Sequence, residues 1–279
     1  MRQIDVSQIR DVVSELCMRA NYELGEDVLH SLEYAKARES EGRAQEILQM
    51  LIDNAKLAKE ERLPICQDTG IVVVFLEIGQ ALHIVGGDLF RAVTLGVKNG
   101  YEKGYLRSSI VDDPIKRENI DNVPPVIYTK ITPGDRLKIM LISKGCGSEN
   151  MGSIKMLKPH EGGKGIIDFV IRWVREVASF ACPPIVVGIG IGGTFEKAAM
   201  LSKMSLCRKI GEFSPISHIA NIEKILFQQV NKLGIGPAGF GGRTTCLAVN
   251  IETYPTHIAA LPVAVNINCH AHRYKEAVI

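Results

Sequence analysis

The chain has 279 residues, 46% of them hydrophobic, and a formal charge of +2 from 33 basic and 31 acidic side chains. A chain of this length buries roughly 75% of the surface its unfolded form exposes, so a full hydrophobic core is within reach. The even charge balance excludes an electrostatic footprint for nucleic acid or an anionic membrane, and no apolar run approaches the roughly 18–20 residues that span a bilayer.

Residues 1–10 alternate polar and apolar side chains and lack the apolar stretch of a secretory signal, so a cytoplasmic chain is expected. Val6, Ile9, Val12, Val13 and Leu16 recur at helical spacing, with Asp5 or Ser7 as the cap. Two more helices are predicted over about 27–38 and 42–60. Residues 63–70 have prolines and glycines near their ends and lead into a β-branched run at 71–76, which reads as a loop before a strand. A helix is predicted over 88–103 and a proline-containing surface loop over 112–125. Strands follow at 126–130 and 136–142, joined by a Pro-Gly-Asp turn at 133–135.

Residues 145–152 are glycine-rich. An amphipathic helix at 165–180 stops at Cys182-Pro183-Pro184, and an apolar strand follows at 185–190. Helices are predicted at 195–209 and 219–233, and strands at 245–252 and 258–266. Strands interleave with helices, so the fold expected is α/β, with mixed β-sheets flanked by helices and a helical N-terminal segment. No repeat, low-complexity tract or linker is visible, so residues 1–279 read as a single domain.

Gly188-Ile-Gly-Ile-Gly-Gly193 satisfies the dinucleotide-binding pattern GxGxxG between a strand and a helix. A nucleotide-binding oxidoreductase would need a second strand soon after that helix, ending in an acidic residue. Here 211–218 is polar and proline-containing, and another helix follows. What survives is a helix N-terminus at Gly192, Gly193 and Thr194 that can favour an anion, alongside the plainer reading of tight strand–helix packing.

Seven cysteines, at 17, 66, 146, 182, 207, 246 and 269, include no CxxC pair and do not form the framework of a secreted disulfide domain. Cys66, Cys182 and Cys269 share irregular surroundings: Pro64 and Gln67-Asp68-Thr69-Gly70 for the first, two prolines for the second, His270-Ala-His272-Arg273 for the third. Cys17 and Cys207 fall within predicted helices and Cys246 at a strand start, which reads as core or incidental. Three thiolates from three loops suit an iron–sulfur cluster with one open iron, and equally a zinc ion. Spacing alone does not separate them.

Four segments carry more. Pro-Ile-Cys-Gln-Asp-Thr-Gly (64–70), Lys-Gly-Cys-Gly-Ser-Glu-Asn-Met-Gly (144–152), Ala-Cys-Pro-Pro (181–184) and Asn-Cys-His-Ala-His-Arg (268–273) resemble class I fumarate hydratases. The resemblance is to their N-terminal, cluster-bearing part, which is a separate alpha chain in two-subunit members. It implies a [4Fe–4S] cluster on Cys66, Cys182 and Cys269, whose free iron activates water for reversible hydration of fumarate to L-malate, a step of the tricarboxylic acid cycle. It further implies catalytic roles for Asp68 and His257, and substrate contacts at Gln67, Arg107 and the Gly145-Cys146-Gly147 backbone. Cys146 departs from the family's run of three glycines. Arg243 and Arg273 are further candidate cations for a dianionic substrate, which the resemblance does not fix.

The family's C-terminal domain is not in this chain, so a separate beta subunit completing the pocket is expected, in a dimer of alpha–beta pairs. L-tartrate dehydratase alpha subunits are a sister group. Their glycine-rich segment usually lacks the Ser148-Glu149-Asn150 found here, which favours fumarate.

Overall fold

Asp5 does the capping at the first helix: its carboxylate accepts the Ser7 backbone N–H at 2.8 Å. The computed structural model describes residues 2–279; Met1, part of the N-terminal stretch read above, lies outside them. The chain opens with β1 (Arg2–Asp5), α1 (Val6–Tyr22), α2 (Glu26–Arg38) and α3 (Gly42–Glu61). Next come β2 (Ile71–Gly79), β3 (Leu82–Val85), α4 (Leu89–Lys103), β4 (Ile110–Val111), β5 (Ile120–Asp121), β6 (Val126–Thr132) and β7 (Leu137–Lys144). After α5 (Cys146–Glu149) and β8 (Ser153–Leu157) follow α6 (Gly162–Val177), β9 (Ile185–Gly192), α7 (Phe195–Ser205) and α8 (Ser217–Asn231). The chain ends in β10 (Cys246–Tyr254), β11 (Leu261–Asn268) and β12 (Tyr274–Val278). The fold is α/β with mixed sheets and flanking helices, as expected.

Two compact units divide these elements, and the chain passes between them at Gly25/Glu26, Asn54/Ala55, Cys146/Gly147 and His272/Arg273. In the first, the sheet order is β12-β7-β2-β6, antiparallel except for the β2–β6 pair. Alternate residues of β2, Val72, Val74 and Leu76, face one way and join Ile9, Val13 and Leu16 of α1 in one apolar cluster. Helix α4 lies close against α1 because Gly96 and Gly100 face it; a Cβ there would stand 2.6 Å from Arg10 O and 2.7 Å from Ser14 O.

The second unit has the sheet order β10-β9-β11-β8. Strand β9 is parallel to β10 and antiparallel to β11. Its Ile185, Val187, Ile189 and Ile191 join a cluster with Ile166, Val170 and Val174 of α6 and Leu226 and Val230 of α8. The alternate positions are Gly188 and Gly190, where a Cβ would stand 2.3 Å from Ser202 O and 2.0 Å from Ala198 O of α7. The glycines of the GxGxxG pattern therefore let α7 pack on the opposite sheet face. Gly190→Ala is expected to cost about 2–3 kcal/mol, since the obstacle is backbone. Gly163→Ala in α6, where the nearest neighbour of a Cβ is the Ile222 side chain of α8 at 3.8 Å, is expected to be neutral or stabilising, and chemical denaturation of both variants checks the contrast.

Several boundaries differ from the sequence reading. Residues 112–125 are mostly an exposed loop, as expected, but β5 within it pairs with β4 just before it. Residues 258–260 form a turn rather than the start of β11, and α7 ends at Ser205, leaving Cys207 beyond it. Strands β1, β3, β8 and β12 were not anticipated. Each lies in a two-stranded pair or at a sheet edge, where the pairing partner rather than a strong alternating pattern makes the strand.

Candidate active site

In the first unit, the Cys66 loop packs against the end of β7 so closely that residue 70 must be glycine: its φ is +74° and a Cβ would stand 2.4 Å from Lys144 O. Asp68 holds the loop. Its Oδ1 accepts the Gly70 N–H at 3.0 Å and its Oδ2 the Cys146 N–H at 2.8 Å. One carboxylate thus both caps its own turn and ties it to Gly145-Cys146. Tyr101, buried beneath, donates its hydroxyl to Thr69 O (2.8 Å) and Gly70 O (3.2 Å). Thr69 Oγ1 donates to Arg107 O at 2.9 Å, which sets Arg107 beside the same loop.

Cys66 is half-buried and Gln67 exposed. The Arg107 side chain is exposed and has no hydrogen-bond or ion-pair partner among the described residues. Gly145 is buried, and a Cβ on it would meet Arg273 Nη2 at 3.0 Å and Asp68 Oδ2 at 3.2 Å. Cys146 is exposed at the start of α5. This unit therefore gathers Cys66, Gln67, Asp68, Arg107, Gly145 and Cys146 on one set of linked loops. Arg273 belongs beneath it: only 2% exposed, it donates from Nη1 to Asp68 O (2.6 Å) and Asn21 Oδ1 (3.0 Å).

In the second unit, Cys182 closes the 3₁₀ turn after α6 with φ +51° and ψ 68°, a left-handed conformation uncommon outside glycine. Its carbonyl accepts from His270, from the backbone N–H at 3.3 Å and from ring Nδ1 at 3.0 Å. That pair of hydrogen bonds draws the loop of Cys269 onto the loop of Cys182. Cys182 is exposed and Cys269 half-buried, its Sγ donating to Ala271 O at 3.8 Å. Behind them the Ser148-Glu149-Asn150 segment is built in: Ser148 Oγ donates to Asn268 Oδ1 at 3.4 Å, Glu149 pairs with Lys203, and Asn266 Nδ2 donates to Glu149 Oε2 at 3.3 Å. Gly147 is exposed, with open space where a Cβ would stand.

His257 lies elsewhere in this unit. Its loop is tied to the turn after β9, Thr256 Oγ1 donating to Gly193 O at 2.9 Å. Cys182 precedes β9, and Cys269 follows β11 next to the Asn268–Val186 pair. His257 and the two cysteines thus sit at opposite ends of β9, about 20 Å apart at strand rise. The His257 Nδ1 accepts the Ala259 N–H at 3.2 Å, which leaves Nε2 to carry the proton of the neutral ring. The helix terminus at Gly192-Gly193-Thr194 already has occupants: Gly193 N–H donates to Pro255 O, and Thr194 Oγ1 donates to Glu196, whose carboxyl is held below its usual range by that bond. Arg243 is exposed, on a loop whose backbone Glu39 holds through the Arg243 N–H at 2.7 Å.

Among the described residues, no three His, Cys, Asp or Glu side chains are gathered as a single metal ion would need them. Sequence reasoning missed the polar bed under the Cys66 loop, Asn21 and Tyr101. Asn21 shares the periodicity of a helix side chain, and Tyr101 that of a core aromatic.

The comparisons with known proteins run through all of these segments. The fumarate hydratase (Fumerase) family model matches residues 10–278. A relative from Methanocaldococcus jannaschii, provisionally named L(+)-tartrate dehydratase subunit alpha, is 43% identical over 275 residues, 95% of each chain. The L(+)-tartrate dehydratase subunit alpha of Escherichia coli strain UTI89 is 31% identical over 276 residues, 98% of this chain and 91% of its own. With both units and all four quoted segments inside these matches, the chain belongs to the fumarate hydratase (Fumerase) family of hydro-lyases.

Proposed function

We propose that the chain is the alpha subunit of an iron–sulfur hydro-lyase that hydrates fumarate to L-malate, with Cys66, Cys182 and Cys269 as the ligands of a [4Fe–4S] cluster. The observation that carries this reading is how the fold sorts the cysteines. Cys17 and Cys246 are fully buried, and burial pushes both thiols far above their ordinary range, so neither offers a thiolate. Cys66, Cys182 and Cys269 stand in loops, half-buried or exposed; Cys146 and Cys207 are equally accessible, and the resemblance of the flanking motifs selects the three among these five. Iron–sulfur clusters are held by thiolates, and three such donors would leave one iron without a protein ligand. The donor set therefore fits the group. When bound, a cluster with an open iron supplies Lewis acidity toward a hydroxyl or carboxylate oxygen.

The chain's own residues do the rest. Arg107 binds a substrate carboxylate through its fork of N–H donors. Asp68 spends two acceptor positions on backbone N–H groups and keeps about two of its four for a substrate proton or water. Gln67, exposed between Cys66 and Asp68, contacts the same substrate in this reading. His257, at the far end of β9, is given no proton-transfer step at the cysteine end of this chain. Arg107→Met is expected to raise KM about tenfold to a hundredfold, the loss of a charged hydrogen bond of about 1.5–3 kcal/mol, with a smaller change in kcat. Steady-state kinetics checks it.

A separate beta subunit completes the pocket in this reading, in line with the "subunit alpha" names of both relatives. Robust turnover by the cluster-loaded chain alone would contradict that. The names also favour a second reading, dehydration of L-tartrate, which has the same hydroxyl leaving group beside a carboxylate. The test is kcat/KM of the alpha–beta complex for fumarate, L-malate and L-tartrate. At least tenfold preference for fumarate and L-malate supports the first reading, the reverse assigns tartrate, and no turnover of any of them sinks both.

A further inference from the structure

We propose that Arg273 is a positioning residue that presets the Cys66 loop, and not a second cation for the substrate. The proposal rests on the assignment of Cys66 as a ligand, but its geometry stands by itself. Every residue from Ile65 to Gly70 except Cys66 and Gln67 is tied down. Ile65 N–H donates to Asn21 O at 2.9 Å. The Asp68 carbonyl accepts Arg273 Nη1, and its carboxylate accepts the N–H groups of Gly70 and Cys146. The carbonyls of Thr69 and Gly70 accept the Tyr101 hydroxyl. The loop is clamped on both sides of the two residues whose side chains it presents.

Asn21 and Arg273 close this clamp. Asn21 is fully buried; its Nδ2 donates to Cys17 O (2.9 Å) and Ser143 Oγ (3.1 Å), and its Oδ1 accepts Arg273 Nη1. Ser143 N–H in turn donates to Arg273 O at 3.0 Å. Asn21 therefore holds the loop before Cys66 through its own carbonyl, and after it through Arg273. Arg273 is 2% exposed, both acceptors of Nη1 are neutral, and Nε has no acceptor among the described residues. A charge buried without a carboxylate at ion-pair distance among the described residues is costly, and its Nη1 is spent on two acceptors inside the unit and not on the surface. What it does is fix a backbone carbonyl two residues after Cys66. The buried glycine at 145 fits this role, since a Cβ there would press on Arg273 Nη2 at 3.0 Å.

Arg273→Lys keeps the charge but shortens the side chain, so Asn21 and Asp68 are no longer held together. Asn21→Ser removes the acceptor for Arg273 while keeping the backbone bond to Ile65, and reports the same clamp should the lysine variant fold poorly. The readout is the rate of iodoacetamide alkylation at each cysteine of the metal-free full-length chain, with hydrogen exchange of the 65–70 amides. Because no cluster is involved, the result is separable from the assignment of the ligands. The expected result is alkylation of Cys66 faster by about tenfold and faster exchange across 65–70, with Cys182 unchanged and Cys17 and Cys246 still protected. In the cluster-loaded complex the same variants lower iron content and kcat together and leave KM unchanged. An unchanged Cys66 rate with a raised KM would overturn the proposal and return Arg273 to the substrate. An equal rise at Cys17 and Cys246 would also overturn it, because Arg273 would then support the whole unit.

Discussion

Glu223→Ala is expected to destabilise the protein by about 3–5 kcal/mol, the cost of breaking a buried ion pair from one side. Glu223 is fully buried on α8, where its Oε1 accepts from Arg208 Nη1 at 2.5 Å and from the Ile251 N–H at 2.7 Å, and its Oε2 from the Ser214 N–H at 2.7 Å. Arg208 Nη2 donates to Ile251 O and to Glu252 Oε1, both at 2.6 Å. Strand β10 is a sheet edge, so the N–H and C=O of Ile251 have no neighbouring strand. The ion pair takes that strand's place, which explains a charged cluster against an apolar sheet. Alanine leaves two backbone N–H groups and Arg208 Nη1 without acceptors, while Nη2 keeps Ile251 O and Glu252. At about 2–4 °C per kcal/mol for a chain of this size, Tm falls by roughly 10 °C. Glu252→Ala removes a partner that keeps 34% side-chain exposure and is expected to cost no more than about 1 kcal/mol. Thermal denaturation of the two variants side by side checks the difference.

Serine at Cys66, Cys182 or Cys269 is expected to abolish iron binding and hydro-lyase activity while sparing the fold. None of the three is in the core, so the stability change stays near about 0.5 kcal/mol. The Lewis acid contributes several kcal/mol to the barrier, and at 1.36 kcal/mol per decade its loss slows turnover about a thousandfold or more. Cys17→Ser reverses the pattern. It buries a hydroxyl in an apolar site at a cost of about 1–3 kcal/mol and leaves iron content intact. Cys182→Gly is the sharpest case. Glycine adopts φ +51° freely, and relief of about 1 kcal/mol of left-handed strain offsets its greater unfolded-state entropy. Stability is then kept while the metal is lost, as expected where backbone strain serves a site.

Much of the architecture was legible because it is written locally. The helix at 6–22 announces itself by apolar spacing and an Asp5 cap, and the strand at 185–192 by an unbroken apolar run. Edge strands were not legible: β12, Tyr-Lys-Glu-Ala-Val, has no strong alternation and exists because β7 offers it a partner. The segments of the candidate site stood out as punctuated, polar and glycine-bearing loops, and the three cysteines separated from the core ones by that context. Their supports did not stand out. Asn21, Tyr101 and Glu223 occupy ordinary helical positions, and only the folded chain brings them to a loop backbone or a sheet edge. Arg273 was legible as a cation near a cysteine motif, and its burial reverses the role that proximity implies. His257 likewise sits in a segment resembling an active-site motif, yet the strand it precedes carries it to the opposite end of β9 from Cys182.

The central claim is a three-thiolate iron–sulfur cluster, and the most direct measurement is iron, acid-labile sulfide and zinc per chain after anaerobic purification. Iron and sulfide in near-equal amounts, approaching four of each, is the predicted result, with both lost when any one of Cys66, Cys182 and Cys269 is serine. Zinc in place of iron, or iron retained in all three serine variants of a folded chain, would contradict it.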